Sequence, residues 1–529
     1  MAPGNNHYAS RLLHLRLGKV CVAVMATDAS ELVEKAETLV RDNTFLEFRL
    51  DYIPRPATAL AKVREFTETH PHVTVIATCR RAVSGGKFQG SIAAQLEILA
   101  KAAAAGCQLV DLELQSAARL KSAHLEKLHA KAGIVLSFHD FHGTHKLDET
   151  LKKMSAYPAD FFKIAGTARS LYDNVTMMRF LEKHHDDHSL VGLCMGEAGI
   201  ISRVLAVRAG SRFTFAAVAA GEKTASGQVS AQELQSTYRI DQLDPATKVY
   251  GVVGDPVSQS LSPAIMNAAL RRENVNGVFL PLHTKSLKDL LACVRDIPIH
   301  GLAVTMPYKQ EILPFLDNTD PFTAKIGACN TVVRSHDGKL YGFNTDTSGV
   351  VRPLEQRMTL ADARVLVLGA GGAARAAVFG LKERGAQIFI LNRNLASAQK
   401  LARQAKARTV KRADLKRLDF DVIINATPVG MGNPRESPLN GDEIKAQYVF
   451  DMVYDPAETR LLELAKLRGA QIIPGREMFV HQAARQFEIW TGKPAPREDM
   501  LRIVQLALEE RAAASEAAKP SKKSSTVLS

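Results

Sequence analysis

The sequence predicts an α/β protein in two parts, a (β/α)8 barrel followed by a second α/β unit that contains a Rossmann nucleotide-binding domain. Three observations predict this fold class. Across residues 19–218 a short apolar strand followed by a helical stretch recurs eight times, which is the count for such a barrel. A polar connector at residues 241–248 ends that pattern. Farther on, residues 364–383 read as a strand, a glycine-rich turn and a helix, the order found in dinucleotide-binding units.

Length and composition indicate a globular protein of several domains. With 529 residues, 46% hydrophobic and 23% charged, the chain should form two or three globular domains. No apolar run approaches the roughly 20 residues that span a bilayer, and the first residues lack a signal-peptide core, so we expect a cytoplasmic protein without a membrane partner. The net charge of +13 is spread without a basic run, so no nucleic acid is expected. The six scattered cysteines indicate reduced thiols, and no metal is predicted.

The first part should carry its polar residues at one end of the barrel. Its eight candidate strands are residues 19–25, 45–51, 73–80, 108–114, 133–139, 161–165, 190–195 and 213–218. Active sites of such barrels lie at the carboxyl ends of the strands. The charged residues near those ends are Glu47, Arg49, Arg80, Glu113, His139, Lys163 and, past strand seven, Arg203.

Lys163 stands among the apolar residues Phe161, Phe162 and Ile164. Burial in a strand disfavours the ammonium form and should lower the amine pKa, and a neutral amine attacks ketones to form an imine. The alternative is a lysine whose stem packs while its head reaches solvent. The surrounding histidine and arginines favour chemistry next to a ketone on an acid.

The first part resembles type I 3-dehydroquinate dehydratase over residues 15–240. The residues that carry the resemblance include Glu47-Phe-Arg49, Thr78-Cys-Arg80, Ser137-Phe-His139, Phe162-Lys163, Ser202-Arg203 and Gly227-Gln228. It implies that Lys163 forms an imine with the substrate ketone, that His139 moves protons and that Glu47 orients His139. It also implies that Arg49, Arg80, Arg203, Thr224 and Gln228 hold the substrate. Ser84 departs from the family, which often has a glutamate there, and Thr224 replaces a more usual serine.

The glycine turn of the second part is Gly369-Ala370-Gly371-Gly372-Ala373-Ala374. Such a turn lets the backbone and a helix N-terminus approach a pyrophosphate. The next strand ends in Asn392-Arg393, where an NAD-binding protein usually has an acid. Arginine favours a 2′-phosphate, so NADP is the predicted cofactor. Residues 394–397 add no second basic residue, so this preference is expected to be modest.

The second part resembles shikimate dehydrogenase over residues 248–508, through motifs such as Ser260-Leu-Ser262, Thr305-Met-Pro307-Tyr-Lys309, Asn330-Thr331, Asn344-Thr345-Asp346 and Asn425-Ala-Thr427. The resemblance implies a two-lobed unit, with a substrate lobe at 248–354, a nucleotide lobe at 355–480 and helices at 481–510 that pack on the substrate lobe. Residues 511–529 are expected to form a disordered tail, because they are rich in Ala, Ser and Lys and have few large apolar residues. The implied catalytic pair is Lys309 and Asp346. The implied substrate contacts are Ser260, Ser262, Thr305, Asn330, Tyr454 and Gln482, and the further cofactor contacts are Thr427 and Gly475.

Together the two resemblances imply one bifunctional chain of aromatic amino-acid biosynthesis. It would dehydrate 3-dehydroquinate and then reduce 3-dehydroshikimate to shikimate with NADPH. One alternative is a dehydrogenase half that prefers quinate, and another is a metabolite sensor that has lost catalysis. The sequence leaves open the oligomeric state and any passage of the intermediate between the sites.

Overall fold

The computed structural model describes residue 15 and residues 17–219, 227–257, 260–297 and 299–517. The chain forms two compact units, Met1–Thr247 with Leu282–Pro298, and Lys248–Pro281 with Ile299–Ser529. Leu282–Pro298 was expected to group with the substrate lobe alone. It groups with the first unit because the Asp289 carboxylate accepts the backbone N–H groups of Leu171 and Tyr172, at 2.7 and 3.1 Å. Among the described residues, no helix is long and apolar enough to cross a membrane.

The first unit is a nearly closed barrel, as predicted. Its eight strands lie side by side with β8 next to β1, and each hydrogen-bonded neighbour is parallel. Between β7 and β8 the backbone N–H of Arg212 donates to the Leu190 carbonyl at 2.8 Å. The strands are β1 Val20–Val24, β2 Phe45–Arg49, β3 Thr74–Thr78, β4 Leu109–Glu113, β5 Gly133–His139, β6 Phe161–Thr167, β7 Leu190–Met195 and β8 Thr214–Ala217.

The second unit contains two sheets of six strands each. The first is mixed and has the order β10-β9-β11-β13-β14-β12, and the second is parallel and has the order β17-β16-β15-β18-β19-β20. The second order is that of a Rossmann sheet, which confirms the predicted fold. The strands are β9 Lys248–Gly254, β10 Gly277–His283, β11 Ile299–Val304, β12 Asn318–Thr319, β13 Thr331–Arg334, β14 Leu340–Phe343, β15 Arg364–Leu368, β16 Gln387–Leu391, β17 Arg408–Thr409, β18 Phe420–Asn425, β19 Ala446–Asp451 and β20 Gln471–Ile473.

The α-helices connect these strands and cover the sheets. They are α1 Ala29–Leu39, α2 Leu60–Thr69, α3 Ile92–Ala104, α4 Leu114–Ala117, α5 Ser122–His129, α6 Leu147–Met154, α7 Tyr172–His184, α8 Ile200–Leu205, α9 Ser262–Arg272, α10 Leu287–Asp296, α11 Pro321–Ile326, α12 Asp346–Glu355, α13 Gly372–Lys382, α14 Leu395–Ala405, α15 Arg460–Leu467, α16 Gly475–Thr491 and α17 Arg497–Ala517. Helix α17 continues through residues 512–517, which were predicted to be disordered. Alanine dominates this stretch and is the strongest helix former.

The barrel interior changes from apolar to polar along the strands. Side chains of a strand alternate between its faces, so residues two apart share a face. One buried layer contains Cys21, Phe45, Ile76, Leu109, Val135, Phe161, Val191 and Phe213. Two residues farther along β2, β4 and β6 stand Glu47, Asp111 and Lys163, and all three are buried. The apolar layer therefore forms the floor on which the charged layer rests.

Phe213 is the centre of that floor, and its ring lies 4.9 Å from Phe45, 5.6 Å from Phe161 and 5.5 Å from Phe215, between centroids. Phe213→Ala should lower the free energy of unfolding of the barrel by about 3–5 kcal/mol, through lost apolar contact and a cavity. Urea unfolding followed by circular dichroism measures this. Fluorescence of Trp490, the only tryptophan, follows the second unit as an internal control. An unchanged barrel transition would contradict the assigned floor.

Candidate active sites

A small cavity of about 70 Å³ opens above the apolar floor of the barrel. The structure brings together seven of the side chains predicted for the first site. The cavity is lined by Glu47, Arg49, Arg80, Gly85, His139, Phe141, Lys163, Ala165, Leu193, Met195, Arg203, Phe215 and Gln228. Thr224, also predicted there, lies outside the described residues.

Lys163 is only 4% exposed. Its Nζ lies 3.4 Å from Oδ2 of Asp111 and 3.6 Å from the centroid of the Phe215 ring. Burial lowers the pKa of the Lys163 amine, and the nearby Asp111 carboxylate opposes that shift. A fraction of neutral amine larger than that of an exposed lysine is therefore available to attack a carbonyl.

Asp111 is the functional residue that the sequence prediction missed. Nη2 of Arg80 donates to Oδ1 and Oδ2 of Asp111, at 3.0 and 3.1 Å, and the Ser137 hydroxyl donates to Oδ1 at 2.8 Å. Burial would raise the pKa of Asp111, but Arg80 and Lys163 hold it well below the usual range. Its position in the strand could have revealed it. Asp111 lies two residues before Glu113, which the sequence analysis had singled out, and residues two apart in a strand share a face.

The three arginines of this site are all buried. Arg49 donates to both oxygens of Asp51, at 3.0 and 2.9 Å, so the charges of this pair largely cancel. Arg80 is likewise paired with Asp111. Arg203 is 2% exposed, and burial lowers its pKa to about 10, which still leaves it charged at neutral pH. Arg203 is thus a buried cation in the cavity wall.

The contacts of Glu47 and the pKa of His139 describe the polar pair for which the resemblance implied an orienting role of Glu47. The Glu47 carboxylate accepts the hydroxyl of Thr78 at 2.6 Å, and within the described residues no hydrogen bond joins it to His139. Glu47 and His139 nevertheless line the same cavity, so the orienting role of Glu47 stays a prediction. Burial, Arg80 and Lys163 lower the pKa of His139 well below its usual value. His139 is therefore a neutral base at neutral pH.

A second cavity, of about 210 Å³, lies in the second unit. It contains all the predicted polar contacts of that site together with the predicted catalytic pair. Those lining residues are Ser260, Ser262, Thr305, Lys309, Asn330, Asp346, Thr427, Tyr454 and Gln482. Hydroxyls, amides and one lysine facing a common space suit a ligand with several hydroxyl groups and a carboxylate.

Lys309 and Asp346 form an ion pair, with Nζ 2.5 Å from Oδ2. Asp346 begins α12 and is 3% exposed, and its other oxygen accepts the Asn330 amide at 2.8 Å. The same amide contacts Oε1 of Gln482 at 3.3 Å. Lys309 and the Asn330 amide therefore hold the Asp346 carboxylate, and the carboxylate holds the ammonium of Lys309 at the cavity wall.

An open cleft of about 860 Å³ adjoins this cavity and shares with it Met306, Lys309, Ala373, Ala426, Thr427 and Pro428. Its wall includes the turn Gly369–Ala373 as well as Asn392 and Arg393. Gly369 has a φ of +115°, which favours glycine, and a Cβ on Gly371 would meet nothing within 4 Å. The turn thus leaves open space above the N-terminus of α13, which is suited to a pyrophosphate.

Two residues predicted to contact the cofactor do not line this cleft. Ala374 is completely buried in the apolar core of the nucleotide lobe, because it is on the inner face of α13. Gly475 begins α16, and a Cβ there would lie 2.4 Å from the carbonyl oxygen of Val453. Both are small because other protein atoms approach them closely.

Comparison with known proteins agrees with this division into two sites. Residues 20–245 match the family model described as type I 3-dehydroquinase. Residues 252–332 match the shikimate dehydrogenase substrate binding domain, 353–430 shikimate / quinate 5-dehydrogenase, and 475–505 the shikimate 5′-dehydrogenase C-terminal domain. A protein of Arabidopsis thaliana named bifunctional 3-dehydroquinate dehydratase/shikimate dehydrogenase, chloroplastic, is 33% identical over 533 residues, which cover 94% of this chain and 87% of that protein. The chain belongs to this bifunctional family.

Separate relatives match the dehydrogenase half of this bifunctional chain. A shikimate dehydrogenase (NADP(+)) of Dehalococcoides mccartyi is 38% identical over 277 residues, covering 50% of this chain and 96% of that protein. Shikimate 5-dehydrogenase of Thermus thermophilus, solved in complex with NADP(H) and shikimate, is 34% identical and covers 49% of this chain and all of that chain, with a TM-score of 0.47.

The dehydrogenase half also contains a buried carboxylate that the sequence prediction did not single out as functional. Asp451 ends β19 and accepts hydrogen bonds from the Asn425 amide at 2.9 Å, the Val453 backbone at 3.0 Å and the Thr459 hydroxyl at 2.6 Å. Asn425 in turn accepts from the backbone and hydroxyl of Thr427. Asp451 therefore holds the loop that lines both the cavity and the cleft.

Burial raises the pKa of Asp451 to about 6. An aspartate of the unfolded chain has a pKa of about 3.9, so the folded protein binds the proton more tightly. This group therefore makes the second unit less stable as the pH rises from about 4 to about 6, by up to about 3 kcal/mol. Asp451→Asn should remove that dependence while Asp414→Asn, an exposed control, retains it. Urea unfolding followed by Trp490 fluorescence at several pH values measures the difference, and parallel curves for wild type and Asp451→Asn would contradict it.

Proposed function

We propose that the barrel converts 3-dehydroquinate to 3-dehydroshikimate and that the second unit reduces that product to shikimate with NADPH. The observation that carries the proposal is one lysine in each site, with opposite surroundings. Lys163 is buried with a lowered pKa, whereas Lys309 is held by Asp346 where a substrate cavity adjoins a dinucleotide cleft. The bifunctional and NADP-dependent relatives support this, and they do not favour the quinate alternative.

In the first reaction the neutral amine of Lys163 would attack the substrate ketone and release water as an imine forms. The protonated imine acidifies the neighbouring C–H, so a base of imidazole strength suffices. His139 precedes Asp140 at the end of β5 and pairs with Ala165, two residues beyond Lys163 on β6. From there His139 would take the proton and return it to the departing hydroxyl, after which water would release the product from Lys163.

The cation needed for the substrate carboxylate would be Arg203. Its buried guanidinium lines the same cavity as Lys163 and remains charged at neutral pH. Arg49, beside Asp51, and Arg80, beside Asp111, would donate N–H groups to substrate hydroxyl or carboxylate oxygens as well. Gln228, buried at the same cavity, would add an amide.

Lys163→Ala should reduce dehydration by at least about 1,000-fold, because the nucleophile is lost, and should leave the reduction of 3-dehydroshikimate unchanged. Borohydride added with 3-dehydroquinate should fix the substrate to wild type, and peptide mass mapping should place the adduct on Lys163. Lys131→Ala, which removes an exposed lysine of the barrel, is the matched control. Dehydration that survives in Lys163→Ala would overturn the imine assignment.

In the second reaction Lys309 and Asp346 would act at the carbonyl that is reduced. Negative charge develops on the carbonyl oxygen during reduction, and the Lys309 ammonium is positioned to stabilise and protonate it. Asp346 keeps the ammonium in place and receives the hydrogen bond of Asn330 on its other oxygen. Ser260, Ser262 and Tyr454 lie in the same cavity and would bind the carboxylate and ring hydroxyls.

The cleft residues fit NADP. The turn Gly369–Ala373 and the N-terminus of α13 would hold the pyrophosphate, and Arg393 would hold the 2′-phosphate. When bound, this cofactor supplies the hydride. Lys309 lines both cavity and cleft, so the group that stabilises the oxygen stands next to the cofactor site.

Lys309→Ala should lower the rate of 3-dehydroshikimate reduction by about 100- to 1,000-fold, because the charge on the carbonyl oxygen loses its stabilising cation. Dehydration should be unchanged. Lys325→Ala, which removes an exposed lysine of α11, is the control and should retain both activities. Steady-state rates of NADPH oxidation measure the effect, and full reduction by Lys309→Ala would remove this residue from the mechanism.

The compartment remains a prediction. The sequence suggests the cytoplasm, whereas the relative from Arabidopsis thaliana is named as chloroplastic.

A further inference from the structure

We propose that Lys411 is the second cation for the 2′-phosphate of NADP, and that it replaces the basic residue missing after Asn392-Arg393. The inference rests on the proposed use of NADP and specifies how this chain selects it. The first turn of α14, which follows Arg393, contains Leu395, Ala396 and Ser397 and offers no positive charge. Lys411 follows a different strand, β17, and was not among the predicted cofactor contacts.

Strand pairing places Lys411 beside the Asn392-Arg393 turn. Strand β16 pairs in parallel with β17, with Ile390 opposite Thr409, and the backbone N–H of Val410 donates to the Ile390 carbonyl at 3.1 Å. Continuing this register for two residues brings Lys411 next to Asn392. Neighbouring parallel strands are about 4.8 Å apart, so the two segments end side by side at the same edge of the sheet. Both line the 860 Å³ cleft.

The charges at this edge are not equivalent. Arg412 also lines the cleft, but its Nε and Nη2 donate to the two oxygens of Glu443, both at 2.7 Å. These hydrogen bonds raise the pKa of Arg412 and, against the effect of burial, lower the pKa of Glu443. Arg412 and Glu443 therefore form a neutral pair that adds little attraction for an anion.

Arg393 and Lys411 have no such partner among the described residues, in which neither side chain forms a hydrogen bond or an ion pair. Both are exposed at the cleft. A phosphate monoester carries between one and two negative charges near neutral pH, so two cations match it better than one. The arrangement therefore favours a 2′-phosphate over the 2′-hydroxyl of NAD.

The residues around Lys411 keep its backbone in place. Lys411 directly precedes the 3-10 helix Arg412–Arg417, whose Leu415 is buried in the core of the lobe. The backbone N–H of Asp414 donates to the Lys411 carbonyl at 3.0 Å. The start of the side chain is thus fixed while its ammonium remains free to meet a ligand, as expected of a phosphate-binding lysine.

Lys411→Gln tests the proposal by direct binding, with isothermal titration calorimetry of the full-length protein. The matched control is Lys416→Gln, which removes an equal charge from the same 3-10 helix, where Lys416 is paired with Asp442 at 2.6 Å. The probes are NADP⁺ and NAD⁺, and the fragments adenosine 2′,5′-bisphosphate and AMP. These fragments isolate the 2′-phosphate from the nicotinamide.

Lys411→Gln should weaken binding of NADP⁺ and adenosine 2′,5′-bisphosphate by about 10-fold, which corresponds to about 1.4 kcal/mol. It should leave NAD⁺ and AMP within about twofold and should flatten the salt dependence of NADP⁺ binding. Lys416→Gln should bind all four probes like wild type. Arg393→Gln should weaken binding of the same two probes, which carry the 2′-phosphate.

Two results would overturn the proposal. If Lys411→Gln weakened probes with and without the 2′-phosphate equally, Lys411 would be a general contact, and unchanged binding of NADP⁺ would remove it from the site. A failure of the proposed reductase function would give a different result. Wild type would then bind NADP⁺ with the preference that depends on Lys411, but it would not reduce 3-dehydroshikimate.

Discussion

Each site of this chain depends on a lysine held against a buried aspartate. In the barrel the Nζ of Lys163 lies 3.4 Å from Asp111, and in the second unit the Nζ of Lys309 lies 2.5 Å from Asp346. Neither carboxylate could be buried alone, since an unpaired buried charge costs several kcal/mol. The neighbours of each aspartate decide how strongly it attracts its lysine, and therefore which form of the lysine the site uses.

Asp111 is shared. Arg80 donates to both of its oxygens and Ser137 to one, so much of its charge is already compensated before Lys163 approaches. Lys163 also faces the Phe215 ring and a largely apolar floor. Burial therefore dominates, and the pKa of the amine is lowered. Asp346 differs because its Oδ2 is committed to Lys309 and only Oδ1 accepts Asn330. Lys309 is also less buried, so it can serve as a cation at the cavity wall.

Short-range pattern was sufficient for the fold, and the two family resemblances supplied most side chains of the sites. Eight strand–helix repeats predicted the barrel, and residues at the carboxyl ends of parallel strands had to meet at one edge. The residues that were missed depend on partners distant in the sequence. Asp111 becomes functional through Arg80 and Lys163, and Asp451 through Asn425 and Thr459. The orienting role of Glu47 toward His139 stays a prediction, and Gly475 does not line the cleft, because a Cβ there would lie against the Val453 carbonyl oxygen.

The same carboxylate that tunes Lys163 also suits the later stage of its chemistry. In the proposed reaction a neutral amine attacks, but the imine that would accelerate proton removal must itself be protonated, so the nitrogen would regain a positive charge. A wholly apolar pocket would favour attack and then disfavour that cation. Asp111 resolves this conflict, because it stays ionised through Arg80 and lies within reach of the nitrogen in both stages. The polar layer of the barrel is therefore built around Asp111, an anion shared by Arg80, Ser137 and Lys163, and an apolar layer lies directly beneath it.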